Sequence, residues 1–339
     1  MIVVNGATGF IGMYVVDELV KHGKEVVATG RNERLAPMLE HMGARFVKLD
    51  ITHEEDFAAL PEEGVEGVIL LAALLPANAT ADLDEHENAA NYFVSNCIGT
   101  VNVLEWCRHH GVKKVISSCS YGDTSGAWGT GRAITEDEPR SFSFTGDHAM
   151  YVITKNAAND TIEYYNQQHG MQGAVFRFPP VYGVGPHGTI LVNGKPYKSG
   201  IQTFIECAEA GEDIELWGDP HIKRDIIYVK DVARAYRLAL ESDKTYGLYN
   251  MTSGTQLDLE DQARAVIEVF GAGNGSKIVY RPEKPNNTPS FLYSIEKAKR
   301  DFGFVPQYTD YVEMMRDYKA ELESGRWSEL EGSAAARAE

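Results

Sequence analysis

Residues 4–12 read VNGATGFIG, with glycines at positions 6, 9 and 12. Ile2, Val3 and Val4 lead into it as a short buried strand. Met13 to His22 (MYVVDELVKH) come next with apolar side chains at helical spacing, and Gly23 supplies a stop. A strand, a glycine turn and a helix in that order can hold a phosphate. The turn exposes backbone N–H groups, and the helix adds its positive N-terminal end. An ordinary tight turn between strand and helix uses the same residue types, so this stretch decides the fold only together with the elements downstream of it in the chain.

The chain has 339 residues, room for one large domain or two of ordinary size. Its formal net charge of -17 argues against a nucleic-acid binder, which needs surplus Lys and Arg to displace counterions. No apolar run approaches the roughly 20 residues that cross a bilayer. With a first strand starting at Ile2, no leader is expected ahead of it. Cys97, Cys107, Cys119 and Cys207 have neither CxxC pairing nor disulfide-framework spacing, so the expected setting is the reducing cytoplasm. The histidines form no HExxH or similar set, and no metal is expected. The small, polar stretch from Ser328 onward, 328–339, reads as a fraying tail.

Short apolar stretches alternate with helical ones through the first half. Glu25–Thr29, Ala44–Leu49, Gly67–Ala72, Lys113–Ser118 and Gly173–Phe178 read as strands, and Val94–His110 and about Asp147–His169 as helices. This alternation predicts an α/β fold with a doubly wound parallel sheet, whose ligands bind at the carboxyl ends of the strands. Gly247–Thr252 reads as a strand that returns to that sheet. Gly122–Gly146 is a long Gly/Ser/Thr-rich segment of the kind that forms lids. Beyond Gly183 the pattern becomes less regular, which predicts a smaller, loop-rich lobe.

Two patterns carry chemistry. Tyr151 and Lys155 in MYVITK are four apart, hence on one helical face. An ammonium within about 4–6 Å of a phenol favours the phenolate, lowering a pKa near 10 and making Tyr151 a proton shuttle. On the preceding strand, KKVISSCSYGD, Ser118 and Ser120 are two apart and face one side. A hydroxyl there could bond a substrate oxygen, or it could only satisfy local backbone groups.

GATGFIG, Tyr151-x-x-x-Lys155 downstream of a serine strand, RFPPVYG and KRDIIYVKDVARA together resemble the extended short-chain dehydrogenase/reductase family. Within it they resemble the NAD(P)-dependent epimerase/dehydratase group that works on nucleotide sugars. The likeness runs from residue 1 to about 310 and includes NCIGTVNVLEWC and SIEKAKRDFGF. It implies a Rossmann-type domain over 1–182 plus about 226–252, and a substrate lobe over 183–225 and 253–327. Gly6, Gly9 and Gly12, with Thr8, Phe10 and Ile11 between them, would cradle the cofactor pyrophosphate. Asp50 and Ile51 would flank the adenine, Ala72 and Ala73 would line the nicotinamide ribose side, and Pro180 and Val181 would also bind the cofactor. Tyr151 would be the acid/base, and Lys155 would bind the nicotinamide ribose. Asn96 falls where the family keeps a structural or relay asparagine. Arg224 matches an arginine that contacts the substrate diphosphate, with Tyr182 beside it; an ion pair with Asp225 is its structural alternative. The two long helices resemble those that pair in a homodimer.

Three departures qualify this. Only two residues separate Ser118 from Tyr121, where the family usually has three, so Ser118 is preferred and Ser120 kept as the catalytic hydroxyl. The Thr-Asp-Glu set of the 4,6-dehydratases is absent after the serine strand, which sets dehydration aside. The second strand ends in TGRN rather than in an acid, so Arg31 favours NADP over NAD by attracting a 2′-phosphate. The implied activity is oxidation or reduction of a hydroxyl or keto carbon on a nucleotide-linked sugar, ending in epimerisation or ketoreduction. Reduction of a small non-nucleotide carbonyl is the alternative, and a non-catalytic nicotinamide sensor is a third reading.

Overall fold

The computed structural model of the protein describes residues 1–76, 89–146, 148–186, 188–192, 195–286 and 289–332. Seven strands form one parallel sheet: β1 (Ile2–Asn5), β2 (Val26–Gly30), β3 (Arg45–Lys48), β4 (Gly67–Leu70), β5 (Lys114–Ser120), β6 (Gln172–Phe178) and β7 (Gly247–Asn250). Their order is β7-β6-β5-β4-β1-β2-β3. The chain winds outward from β1 to β3, then returns to the other side of β1 through β4. That makes the carboxyl end of β1 the switch point, where the glycine turn sits. β7 pairs parallel with β6 at the far edge, the return predicted for Gly247–Thr252.

β1, β2 and β4 are buried on both faces, as a sheet covered by helices on both sides requires. Val3, Val27, Val68 and Val115 face one layer, which includes Val103 and Leu104 of helix α2 (Gly99–His109) and Ile162 and Tyr165 of helix α3 (Ala149–His169). Their strand neighbours Ile2, Val4, Ala28, Ile69 and Ile116 face α1 (Phe10–Lys21) and α4 (Val229–Glu241). This second core runs on into the C-terminal part. Ile205, Ile214, Val266 and Met314 belong to the same buried cluster, so the two regions share a continuous interior.

Two sequence expectations change here. The segment read as a lid, Gly122–Gly146, is pinned. Ala133–Ile134 pairs with Leu292–Tyr293, and the Tyr121, Trp128 and Phe291 rings pack with centroids 5.2 to 5.4 Å apart. Arg140 forks onto Asp160 of α3 at 2.6 and 2.8 Å. Its aromatic content gives the segment a small core of its own with the C-terminal lobe. The expected tail also starts too early: Ser328–Gly332 is helical, Leu330 is fully buried, and Trp327 stacks on Tyr14 of α1 at 4.2 Å. Apolar burial of Leu330 outweighs the polar composition around it.

Candidate active site

The glycine turn is closed by backbone contacts that exclude side chains. Gly6 has φ +83°, and a Cβ there would stand 2.5 Å from the Ala72 nitrogen. A Cβ on Gly12 would stand 2.2 Å from the Gly6 carbonyl oxygen, and one on Gly9 3.2 Å from it. Gly9 precedes the first turn of α1, which has no side-chain cap and no acidic residue. The first N–H groups of the helix therefore face a cradle with no competing carboxylate, which suits a dinucleotide pyrophosphate. Thr8 packs against Gly30 at the end of β2. The Phe10 ring, expected at the cofactor, is buried beside Tyr14 at 5.7 Å and fills the space at Gly185, so only its backbone can serve a phosphate. Ile11 is half-buried next to it.

Beyond β2 and β3, Arg31, Lys48, Asp50, His53 and Asp56 line an open cavity of about 440 Å³. Arg31 is exposed and lies 3.5 Å from the Asp50 carboxylate. Burial raises the Asp50 pKa, but hydrogen bonds from the Thr52 N–H and hydroxyl, with Arg31, outweigh it and leave the carboxyl below its ordinary range. Ile51 turns inward: its side chain covers Gly99, and its carbonyl accepts a hydrogen bond from Asn102 at 2.9 Å. Ala72 and Ala73 are half-buried past β4, with the Ala72 N–H held by the Asn5 carbonyl at 3.0 Å.

Tyr151 and Lys155 stand on the first turns of α3, with Tyr151 half-buried and Lys155 buried. Burial, then the nearby Cys119 thiol and Tyr92 hydroxyl, push the Tyr151 pKa above its ordinary value. Burial pushes Lys155 down to about 8, opposed by the Cys119 and Cys97 thiols. The expected lowering of Tyr151 by Lys155 is thus reversed in the protein alone, because desolvation dominates both groups. Asn96 lies in a π-helical stretch, Phe93–Ile98, and is buried. Its Oδ1 accepts from the Leu74 N–H at 2.7 Å. Its Nδ2 donates to the Leu74 carbonyl at 3.2 Å and to Thr154 Oγ1 at 3.1 Å. The amide is fully engaged, bracing the loop after β4 against α3 between Tyr151 and Lys155.

The strand alternation separates the β5 side chains. Cys119 is buried toward α3, beside Tyr151 and Lys155. Ser118 and Ser120 keep partial exposure on the other side. The Tyr236 hydroxyl of α4 donates to the Ser117 carbonyl at 3.4 Å, and burial raises its pKa. Ser120 Oγ accepts from the Gly122 N–H at 3.1 Å and so caps the next turn. The cysteine and Tyr236 are not singled out by the sequence patterns. Cys119 sits visibly between the two serines, whereas nothing local marks Tyr236.

Arg224 donates to the Tyr182 hydroxyl at 3.0 Å, and Tyr182 donates in turn to Gln262 at 3.2 Å. The Tyr182, Tyr121 and Tyr311 phenols surround the guanidinium and hold its pKa up against burial. Among the described residues no carboxylate pairs with Arg224, and its buried Nε has no partner. The alternative of an ion pair with Asp225 fails: that carboxylate is taken by Ser253 Oγ at 2.9 Å and the Tyr293 N–H at 3.2 Å. Pro180 and Val181, half-buried, lead from β6 into a short pairing with Ile227–Tyr228. A buried ion pair, Arg177 with Asp123 at 2.9 Å, joins the ends of β6 and β5 beside Cys119; Asn250 takes Arg177 at 3.0 Å. A charged residue inside GAVFRF was its sequence signal, since a buried arginine demands a partner. Among the described residues no group of three or more His, Cys, Asp or Glu could hold a metal, and no helix is long and apolar enough to cross a membrane.

The chain matches the family model described as NAD dependent epimerase/dehydratase family over residues 2–252. It is similar to a dTDP-4-dehydro-6-deoxy-D-allose reductase from a Streptomyces species, 29% identical over 90% of this chain and 91% of that protein. It is also similar to a UDP-glucose 4-epimerase from Corynebacterium glutamicum, 25% identical over 93% and 94% of the two chains. Among solved structures, a Thermotoga maritima UDP-glucose 4-epimerase with UDP-glucose superposes with a TM-score of 0.76 at 25% identity, covering 95% of this chain and 98% of the other. A Thermus thermophilus UDP-glucose 4-epimerase complexed with NAD gives 0.71 at 25% identity over the same shares. With the glycine cradle at the switch point, these matches identify the chain as an enzyme of the NAD-dependent epimerase/dehydratase family.

Proposed function

We propose that the protein oxidises or reduces a hydroxyl or keto carbon on a nucleotide-linked sugar. When bound, the nicotinamide supplies or accepts the hydride. Tyr151 exchanges the proton, Lys155 holds the nicotinamide ribose, and Ser118 steadies the reacting oxygen. What supports this reading is the placement of Tyr151 and buried Lys155 on the first turns of α3, beside Cys119 near the carboxyl end of β5, in the sheet whose switch point carries the cradle. With its pKa raised, Tyr151 keeps its proton at neutral pH and is set to act as the acid.

Arg224 supports the nucleotide part. A buried guanidinium with an unpartnered Nε and no carboxylate suits a diphosphate. The names of the relatives point the same way. Arg31, exposed beside the cavity past β2, favours NADP over NAD and, with it, ketoreduction over epimerisation. Exposed Phe93, Val94 and Ile98 ahead of α2, and Tyr164 on α3, support pairing as a homodimer, and the unpaired cysteines support a cytoplasmic setting. The test is nicotinamide absorbance with a panel of uridine and thymidine diphosphate sugars, with NADPH and NADP or NADH and NAD. Turnover that falls at least about a thousandfold in Tyr151→Phe, with cofactor affinity retained, is the expected result. Turnover of small carbonyls alone, insensitive to Arg224→Ala, would overturn the nucleotide reading.

A further inference from the structure

Arg224 stands at the end of a short relay. Its guanidinium donates to the Tyr182 hydroxyl at 3.0 Å, and Tyr182 donates to Gln262 Oε1 at 3.2 Å. Gln262 belongs to the helix Leu259–Phe270. Tyr311, first residue of the helix Tyr311–Glu323, sets its ring edge-on to that of Tyr182 at 6.1 Å. Gln262 and Tyr311 are both more than nine-tenths buried, whereas Arg224 keeps partial exposure. The proton count fixes the direction of the relay. The Tyr182 oxygen accepts from Arg224, so its own proton needs another acceptor, and Gln262 Oε1 is the one it meets. The amide is thereby oriented. Among the described residues Gln262 Nε2, the Tyr311 hydroxyl and Arg224 Nε have no hydrogen-bond partner.

Three buried donors left over in one cluster call for an explanation. This cluster carries one positive charge, and among the described residues its neighbours are uncharged phenols and an amide rather than a carboxylate. A surplus of donors around an unbalanced cation suits an anion rich in acceptor oxygens. We propose that Gln262 is a positioning residue: through Tyr182 it holds the Arg224 guanidinium in one orientation and, being uncharged, leaves that charge open to a phosphate group. This rests on the proposed diphosphate role of Arg224. A glutamate at 262 would accept the same phenol proton, but its carboxylate, one shared oxygen away from the guanidinium, would neutralise the charge. An apolar residue there would release the phenol and with it the guanidinium.

The test is calorimetric titration of the full-length protein with inorganic pyrophosphate and with UDP, the glycine cradle being saturated with whichever of NADPH and NADH binds more tightly. Pyrophosphate makes the result independent of the base. Gln262→Met and Tyr182→Phe should each weaken binding about fivefold to tenfold, and the double variant no more than either. Gln262→Glu, which keeps the packing and the acceptor, should weaken it by more than about tenfold. With the sugar selected by the panel, KM should rise by the same factors while kcat stays within about twofold. In the Arg224→Ala background, adding Gln262→Met should cost nothing further. Wild-type affinity in Gln262→Met or in Gln262→Glu, or a loss that persists in the Arg224→Ala background, would overturn the proposal. Should Arg224→Ala itself bind as the wild type does, the diphosphate reading fails instead. Crystal structures then report separately on the holding of Arg224: a guanidinium displaced in Gln262→Met supports it, and an identical rotamer overturns it.

Discussion

Replacing Gly6 by alanine tests the cradle, and Gly23→Ala is its internal control. Both glycines have left-handed backbone, φ +83° and +74°. An L-residue pays about 1–2 kcal/mol for that conformation, partly offset by a less flexible unfolded chain. At Gly23 nothing lies within 4 Å of the new methyl, so the conformational cost is the whole effect. At Gly6 the methyl meets three backbone atoms, the Ala72 nitrogen at 2.5 Å, the Leu71 carbonyl carbon at 2.8 Å and the Ala72 Cα at 2.9 Å. The Ala72 N–H is tied to the Asn5 carbonyl at 3.0 Å and the Gly6 N–H to the Thr29 carbonyl at 3.0 Å, so neither strand end can retreat without breaking a hydrogen bond. Overpacking of this kind adds about 1–3 kcal/mol. Urea unfolding followed by circular dichroism should place Gly6→Ala below Gly23→Ala by that difference. Titration of NADPH fluorescence should show affinity down at least about tenfold for Gly6→Ala and unchanged for Gly23→Ala. Equal stability losses would refute the steric argument, and undiminished NADPH affinity in Gly6→Ala would refute the cradle.

The other expectations concern burial. Asp123→Ala strands Arg177 in the interior and should cost about 3–5 kcal/mol in urea unfolding, whereas a surface pair such as Arg132–Glu138 should cost at most about 1 kcal/mol when broken. Lys155 is pushed from 10.5 to about 8, so the cost of burying its charge is fully present below pH 8 and disappears as the pH rises to 10.5. Lys155→Met should therefore stabilise the cofactor-free protein at pH 7, by at most about 3 kcal/mol, with the gain shrinking between pH 8 and 10.5. A gain independent of pH would show that packing, not charge, is responsible. Leu330→Ala should lower stability by about 2–5 kcal/mol, where a fraying end would lose nothing.

The alternation of short apolar strands with longer amphipathic helices was enough to read the parallel sheet, its covering on both faces and the place of the glycine turn. Those features are local: two-residue and 3.6-residue periodicities, and glycines where a Cβ has no room. The spacing of Tyr151 and Lys155 was legible for the same reason, since one helix positions both. Electrostatics was not. Proximity alone suggested that Lys155 would lower Tyr151, but the depth of burial that reverses this belongs to the packed chain. Nor could sequence tell that Ser120 is spent as a cap, that Tyr236 reaches the Ser117 carbonyl from α4, or that Arg224 leaves Asp225 to Ser253 and Tyr293. It read a lid where Trp128 and Phe291 build a small core, and a tail where Leu330 is buried. Backbone order and residue spacing depend on neighbours along the chain, whereas the state of each charge and the partner of each hydroxyl depend on which distant elements fold against it.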